Sequence, residues 1–214
     1  MKKVIFTLSL VIGSVIYGAT LLYSNMSPAQ NSNSVIVTHT ANGKISGVDA
    51  MVIPANITSE QARILRKAYE IAEADGHENP EIVQAVLLQE TMAGGVKNFR
   101  VANAGPGQEA YFGVGQIKLA AAKDVLKKWP GLFTKYNIES RSDEEIKANL
   151  ILNDRFNIEI ASKYLLMLQT KYGYTGRKLL NAYNRGPAGV KEVGNDFHYA
   201  KGAEAKLAAY KERL

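Results

Sequence analysis

From residue 58 onward, apolar side chains recur every three or four positions, the spacing of one face of an α-helix. Ile64, Leu65, Ala68, Ile71 and Ala72 form the first stripe, opened by a Thr58–Gln61 capping box and closed at Gly76. A second helix has Asn79 as its N-cap, Pro80 as its first residue and Gly94-Gly95 as its stop. Ile82, Val83, Val86 and Leu87 share one face of it, and Glu90 falls in the middle of that stripe. A third helix covers about 119–129 and ends before Pro130. A fourth opens at a second capping box, Ser142 to Glu145. A fifth spans 157–172 with Ile158, Ala161, Leu165 and Leu168 inward, and 177–184 and 203–213 complete the set. A long loop over 92–113, with Gly94, Gly95, Gly105, Pro106 and Gly107, separates the second and third helices. No alternating strand pattern of any length interrupts the series. The expected class is all-α or nearly so.

The first 56 residues do not share this pattern. Lys2 and Lys3 precede an uncharged run over 4–23, and Ser27-Pro28-Ala29 places small residues ahead of a cut after Ala29. Residues 1–29 therefore read as a cleaved signal peptide or an uncleaved membrane anchor. In either case the rest of the chain lies outside the cytoplasm, in the periplasm or cell envelope. Residues 30–56, rich in Asn, Ser, Thr and Gly, read as a flexible linker, with a weak strand signal at 35–38. Residues 57–214 form the folded domain.

Composition narrows the classes of function. The formal net charge is +6, and +4 without Lys2 and Lys3. The excess is scattered, with no basic stripe interleaved with aromatics, so nucleic acid is not an expected partner. A basic surface suits an anionic polymer such as a bacterial wall. With no cysteine the fold uses no disulfide or thiolate metal site. His39, His77 and His198 are too dispersed for a metal cluster, and each reads as a surface residue. No metal and no cofactor is expected.

Three segments carry candidate chemistry. Glu90 on an apolar face is either a structural carboxylate, paired or capping, or a general acid whose pKa burial raises. In 111–117, Gly113 and Gly115 allow close approach of backbone or ligand, and Gln116 offers an amide to sugar hydroxyls or an acetamido group. The alternative there is a tight turn with Gln116 in solvent. In 181–187, Tyr183 could orient a carboxyl or stack on a sugar, or simply pack in the core; Asn184 could bind ligand or cap a helix end.

Taken together, Glu90-Thr91, then Gly113-Val114-Gly115-Gln116-Ile117, then the N-I-x-x-A-x-x-Y-L-x-x-L run over 157–168, then A-Y-N-R-G-P at 182–187 occur in the order of one family. Over about residues 57–210 the chain resembles the lytic transglycosylases with a soluble-lytic-transglycosylase, lysozyme-like catalytic domain. The resemblance implies a helical domain with a cleft. It implies Glu90 as the sole catalytic acid/base, with Thr91, Gly113, Val114, Gln116, Tyr183 and Asn184 lining the substrate site. Gly115 falls where a methionine is common, which implies a less filled cleft floor, and Arg185 replaces the usual small residue. The implied substrate is the peptidoglycan glycan strand, cut at the MurNAc–GlcNAc β-1,4 bond with a 1,6-anhydro product. The implied settings are wall turnover, a secretion or conjugation machine, or a phage. Two other readings remain open: a muramidase using water with Glu109 as second carboxylate, and a non-catalytic wall-binding assembly protein.

Overall fold

The computed structural model describes residues 9–12, 15–18, 57–102, 109–192 and 197–213. In the N-terminal unit, β1 (Ser9–Ile12) pairs antiparallel with β2 (Val15–Gly18). The expected linker and the 35–38 strand lie outside the described residues, as does most of the targeting segment. No helix among the described residues is long and apolar enough to cross a membrane.

The second unit is mostly helical. Its elements are α1 (Ser59–Ala74), α2 (Glu81–Thr91), β3 (Val101–Ala102), β4 (Tyr111–Phe112), β5 (Ile117–Lys118), α3 (Leu119–Lys128), α4 (Gly131–Lys135), α5 (Asp143–Leu152), α6 (Asp154–Tyr172), α7 (Gly176–Glu192) and α8 (His198–Lys211). The three short strands form an antiparallel sheet in the order β3-β4-β5. Two-residue strands leave no alternation to read, which is why the sequence pattern gives no sign of them.

Local chemistry explains most boundaries. Thr58 and Gln61 exchange the two bonds of a capping box at the start of α1. Pro80 already has helical angles, and Asn79 Oδ1 accepts from the Glu81 N–H at 3.2 Å. α2 ends earlier than its glycines suggest. Met92 and Ala93 both turn left-handed, at φ 51° and 53°, and the Ala93 N–H returns to Leu87 O. The Ser142 box is only half formed. Ser142 Oγ accepts from Glu145 N–H, but the Glu145 carboxylate accepts from the N–H groups of Glu139, Ser140 and Arg141. α6 begins three residues before the expected start because Asn153 caps it through the Phe156 N–H. Gly186-Pro187 does not end α7 but kinks it: Gly186 takes φ 72°, ψ 169°, and the helix resumes to Glu192. α4, too short for a helical stripe, is not foreseen in the pattern.

α6 lies at the centre, packed against α1, α2, α3, α5 and α7, while α2 packs between α1 and α8. Leu65, Leu87, Leu88, Leu126, Leu150, Phe156, Ile158, Ile160, Leu165 and Leu168 are almost wholly removed from solvent. Each contributes about 1.5–3 kcal/mol of apolar burial. α2 is buried on more than one stripe, since Gln84, Ala85 and Leu88 are buried beside Val83, Val86 and Leu87. Gln84 is accommodated by donating to Leu65 O at 3.0 Å. His77, expected at the surface, is buried. Its Nε2 lies 3.0 Å from Ser162 Oγ, Ser162 donates to Asp75 at 2.6 Å, and Lys163 pairs with Asp75 at 2.6 Å. Burial holds the His77 pKa below the ordinary histidine value. His198 is exposed, as expected.

Candidate active site

Glu90 stands in the last turn of α2, half-buried at the margin of the core. Among the described residues its carboxyl has one hydrogen-bond donor, the Tyr199 hydroxyl, with Oη to Oε1 at 2.6 Å. Desolvation pushes the Glu90 pKa up to about 7; the Tyr199 bond and the positive field of Lys206 act in the opposite direction without cancelling it. Lys206 Nζ donates to Gln89 O at 3.3 Å, and its own pKa is lowered by burial. Burial and the Glu90 charge raise the Tyr199 pKa well above the ordinary value, so this phenol stays a donor. At neutral pH Glu90 is thus divided between acid and carboxylate, the state needed by one group that gives and then takes a proton.

Tyr199 is absent from the sequence-derived set. It lies on α8, 109 residues from Glu90, and no local pattern marks it. Of the roles open to Tyr183, the hydroxyl bond it makes is not to the Glu90 carboxyl. That hydroxyl donates to Gly115 O at 2.6 Å, and the ring packs edge-to-face on Tyr164 with centroids 5.7 Å apart. Tyr183 still feels the Glu90 charge and has its pKa raised well above the usual value, first by burial.

Residues 113–116 form a tight turn fixed from three directions. Gly113 has φ 67°, and a Cβ there would lie 2.4 Å from Leu150 O and 2.3 Å from Asn157 Nδ2, so only glycine fits. Asn157, fully buried on α6, accepts from Gly115 N–H at 2.8 Å and donates to Phe112 O and Leu150 O at 2.8 and 3.0 Å. Thr91 is buried. Its hydroxyl donates to Val114 O at 2.8 Å and accepts from Gly94 N–H at 3.0 Å, which ties the end of α2 to the turn. Val114 is fully buried. Gly115 is not a gap in the floor. A Cβ at that position would lie 3.1–3.2 Å from Asn157 Oδ1, Tyr183 Oη and Ala161 Cβ.

Gln116 is half-buried with left-handed φ 49°, and both its amide hydrogens are engaged by Phe99 O and Gly113 O, at 2.7 and 2.8 Å. Its amide oxygen remains as the acceptor it can offer a ligand. Gln116 and Tyr183 line a cleft together with Tyr111, Tyr164 and Asn184. Asn184 is exposed at its rim. The site residues therefore divide. Tyr183, Gln116 and Asn184 face the cleft, whereas Thr91, Gly113 and Val114 build the floor from within. Glu109, the other carboxylate of interest, accepts from the Ala120 N–H at 3.0 Å at the start of α3. No group of three or more His, Cys, Asp or Glu side chains placed to hold a metal ion occurs among the described residues. Comparison with models of known protein families and with curated proteins returned no match.

Proposed function

We propose that the protein is an exported peptidoglycan lytic transglycosylase with a lysozyme-like helical domain, its chemistry carried by Glu90 alone. The observation that carries this reading is a carboxyl raised to about 7 by desolvation and bonded by the Tyr199 hydroxyl; Glu90 does not itself line the tyrosine-walled cleft, but its charge reaches Tyr183, which does. Tyrosine rings suit the apolar faces of sugars, and the Gln116 amide oxygen suits a sugar hydroxyl or an acetamido N–H.

In this mechanism the protonated Glu90 donates to the glycosidic oxygen between N-acetylmuramic acid and N-acetylglucosamine. The C1–O bond breaks, and the leaving sugar departs with a hydroxyl. The substrate's own 2-acetamido group stabilises the cationic anomeric carbon, so a second carboxylate is not required. The ionised Glu90 then removes the proton from the muramoyl 6-hydroxyl as that oxygen attacks C1. The 1,6-anhydro ring closes, Glu90 is protonated again, and no water is consumed. Tyr199 fixes the carboxyl through both steps. A hydrolytic muramidase would need a second carboxylate to place water, and Glu109 is engaged at the α3 N-terminus instead. Lys2-Lys3 followed by the apolar run supports delivery to the envelope, by cleaved signal or by anchor.

Mass spectrometry of purified peptidoglycan after digestion tests the reading. Anhydro-muramoyl ends are the expected product. Reducing muramoyl ends would assign a hydrolase, and intact strands would assign a wall-binding protein.

A further inference from the structure

The cleft has a charge that Glu90 chemistry does not use. Lys118 and Arg185 both line it, and among the described residues no carboxylate lines it. Lys118 sits at the end of β5 in the extended position before α3, its ammonium 5.0 Å from the centre of the Tyr111 ring. Arg185 sits on α7 immediately before the Gly186 kink and is exposed at the cleft rim. Neither makes an ion pair with another described residue. Several other surface cations are neutralised by a carboxylate: Arg63 by Glu60, Lys67 by Glu70, Lys123 by Asp143, Arg177 by Glu204 and Lys211 by Glu81. Two cations lining a tyrosine-walled cleft without a carboxylate partner among the described residues form an anion-recognition feature, and a guanidinium presents the planar fork that matches a carboxylate.

A glycan strand lying across the tyrosines would carry its anions at regular intervals, as the peptides attached to the muramoyl lactyl groups. We propose that Lys118 and Arg185 bind the carboxylates of a stem peptide, making the enzyme selective for peptide-bearing over bare glycan. This rests on the reading of the cleft as a glycan site and adds a specificity to it. Aromatic rings recognise the sugar, and the two cations recognise its peptide substituent.

The test uses the full chain and three forms of one strand preparation: peptide-bearing, peptide-bearing with carboxylates converted to amides, and denuded by an amidase. For the unaltered protein, kcat/KM should be about tenfold higher on the first than on the other two. Arg185→Ala should lose about fivefold to tenfold on peptide-bearing strands and less than twofold on the others, with Arg185→Lys recovering part of the loss. Lys118→Ala should lose about threefold in the same pattern, and added salt should shrink each difference. Equal cleavage of all three strands, or equal losses on all three in Arg185→Ala, overturns the proposal and leaves strand cleavage standing. A preference for denuded strands, whose lactyl carboxylate is free, assigns the cations to that group and also overturns it. If no strand is cleaved, the enzymatic reading fails, and co-sedimentation with the same strands decides this proposal alone. Selective binding of peptide-bearing strands, lost in Arg185→Ala, upholds it, and unselective binding overturns it.

Discussion

Glu90 and Glu159 are both carboxylates set against the helical core, and the more deeply buried one is the more ordinary. Glu159 on α6 is 4% exposed, yet Lys135 Nζ lies 2.6 Å from both its oxygens and the Tyr136 hydroxyl donates to it as well. An ammonium and a phenol replace its lost water. Glu90 has the phenol but, among the described residues, no ammonium in contact; Lys206 reaches it only through its field. Burial therefore does not by itself make a reactive acid. On the proposed reading, the acid is the carboxyl whose desolvation is left partly uncompensated, and the difference is a single lysine contact.

The comparison is broken most directly by neutralising each carboxylate in turn. Glu90→Gln should abolish strand cleavage, a loss of at least about 100-fold, since general acid–base catalysis alone is worth roughly 100- to 10,000-fold. The same variant should be more stable than the parent at pH 8. The folded pKa of about 7 lies above the model value of 4.5, so the native state holds a proton that the unfolded chain has released in that window. Stability from this group is complete below pH 4.5 and is lost as pH rises through 7, by up to about 3 kcal/mol. Glu90→Gln avoids that loss, and its melting temperature should exceed the parent's at pH 8 and equal it near pH 4. A variant that is inactive but less stable at pH 8 would place Glu90 among structural carboxylates like Glu159.

Glu159→Gln should behave oppositely. It leaves Lys135 without its counter-ion and should cost about 2 kcal/mol of stability, at the low side for a broken buried pair because Lys135 is half-exposed. The turnover number of the folded fraction should be retained, and a selective loss of kcat at full stability would contradict the assignment.

The two tyrosines sharpen the contrast. Tyr199→Phe removes the phenolic donor to Glu90 and should lower kcat about fivefold to tenfold, while moving the alkaline limb of the rate profile to higher pH, because the lost bond was lowering the Glu90 pKa. Tyr183→Phe should leave that limb in place and cost about 1 kcal/mol, since it loses only the bond to Gly115 O. Exchanged outcomes would restore Tyr183 as the orienting residue. The smallest effect is the profile itself: cleavage by the unaltered protein should decline as pH rises through about 7, and a flat rate between pH 5 and pH 9 would show that protonated Glu90 does not start the reaction.

The parts of the molecule legible in the sequence are those whose cause is local. Thr58 and Gln61 announce α1 because both partners of the cap lie within one turn, and Leu165 and Leu168 show their inward face through spacing alone. Glu90 stands out because it interrupts such a stripe. What stayed hidden depends on distant partners. Tyr199 meets Glu90 across 109 positions, and Tyr183 has the same residue type but turns its hydroxyl to Gly115. Asn157, at the head of a helical run, gives no sign that it holds the cleft floor. Its partners lie 7, 42 and 45 residues away, and only the packing of α6 brings them together. Met92 and Ala93 likewise turn left-handed ahead of the glycines that propensity would choose, where Gln61, distant in sequence, donates to Met92 O at 2.7 Å.

The threefold tie made by Asn157 has a kinetic consequence. Its side chain joins the backbone on both sides of the tight turn, at Phe112 and Gly115, to that of α5 at Leu150. The Gly115 amide, bonded to a side chain with no solvent exposure, should be released for hydrogen exchange only when α6 itself comes apart. Its protection should match that of the α6 amides and not that of a surface turn. The cleft floor then opens no more often than the domain unfolds, and adaptation to the glycan strand proposed for it is left to the exposed groups at the rim.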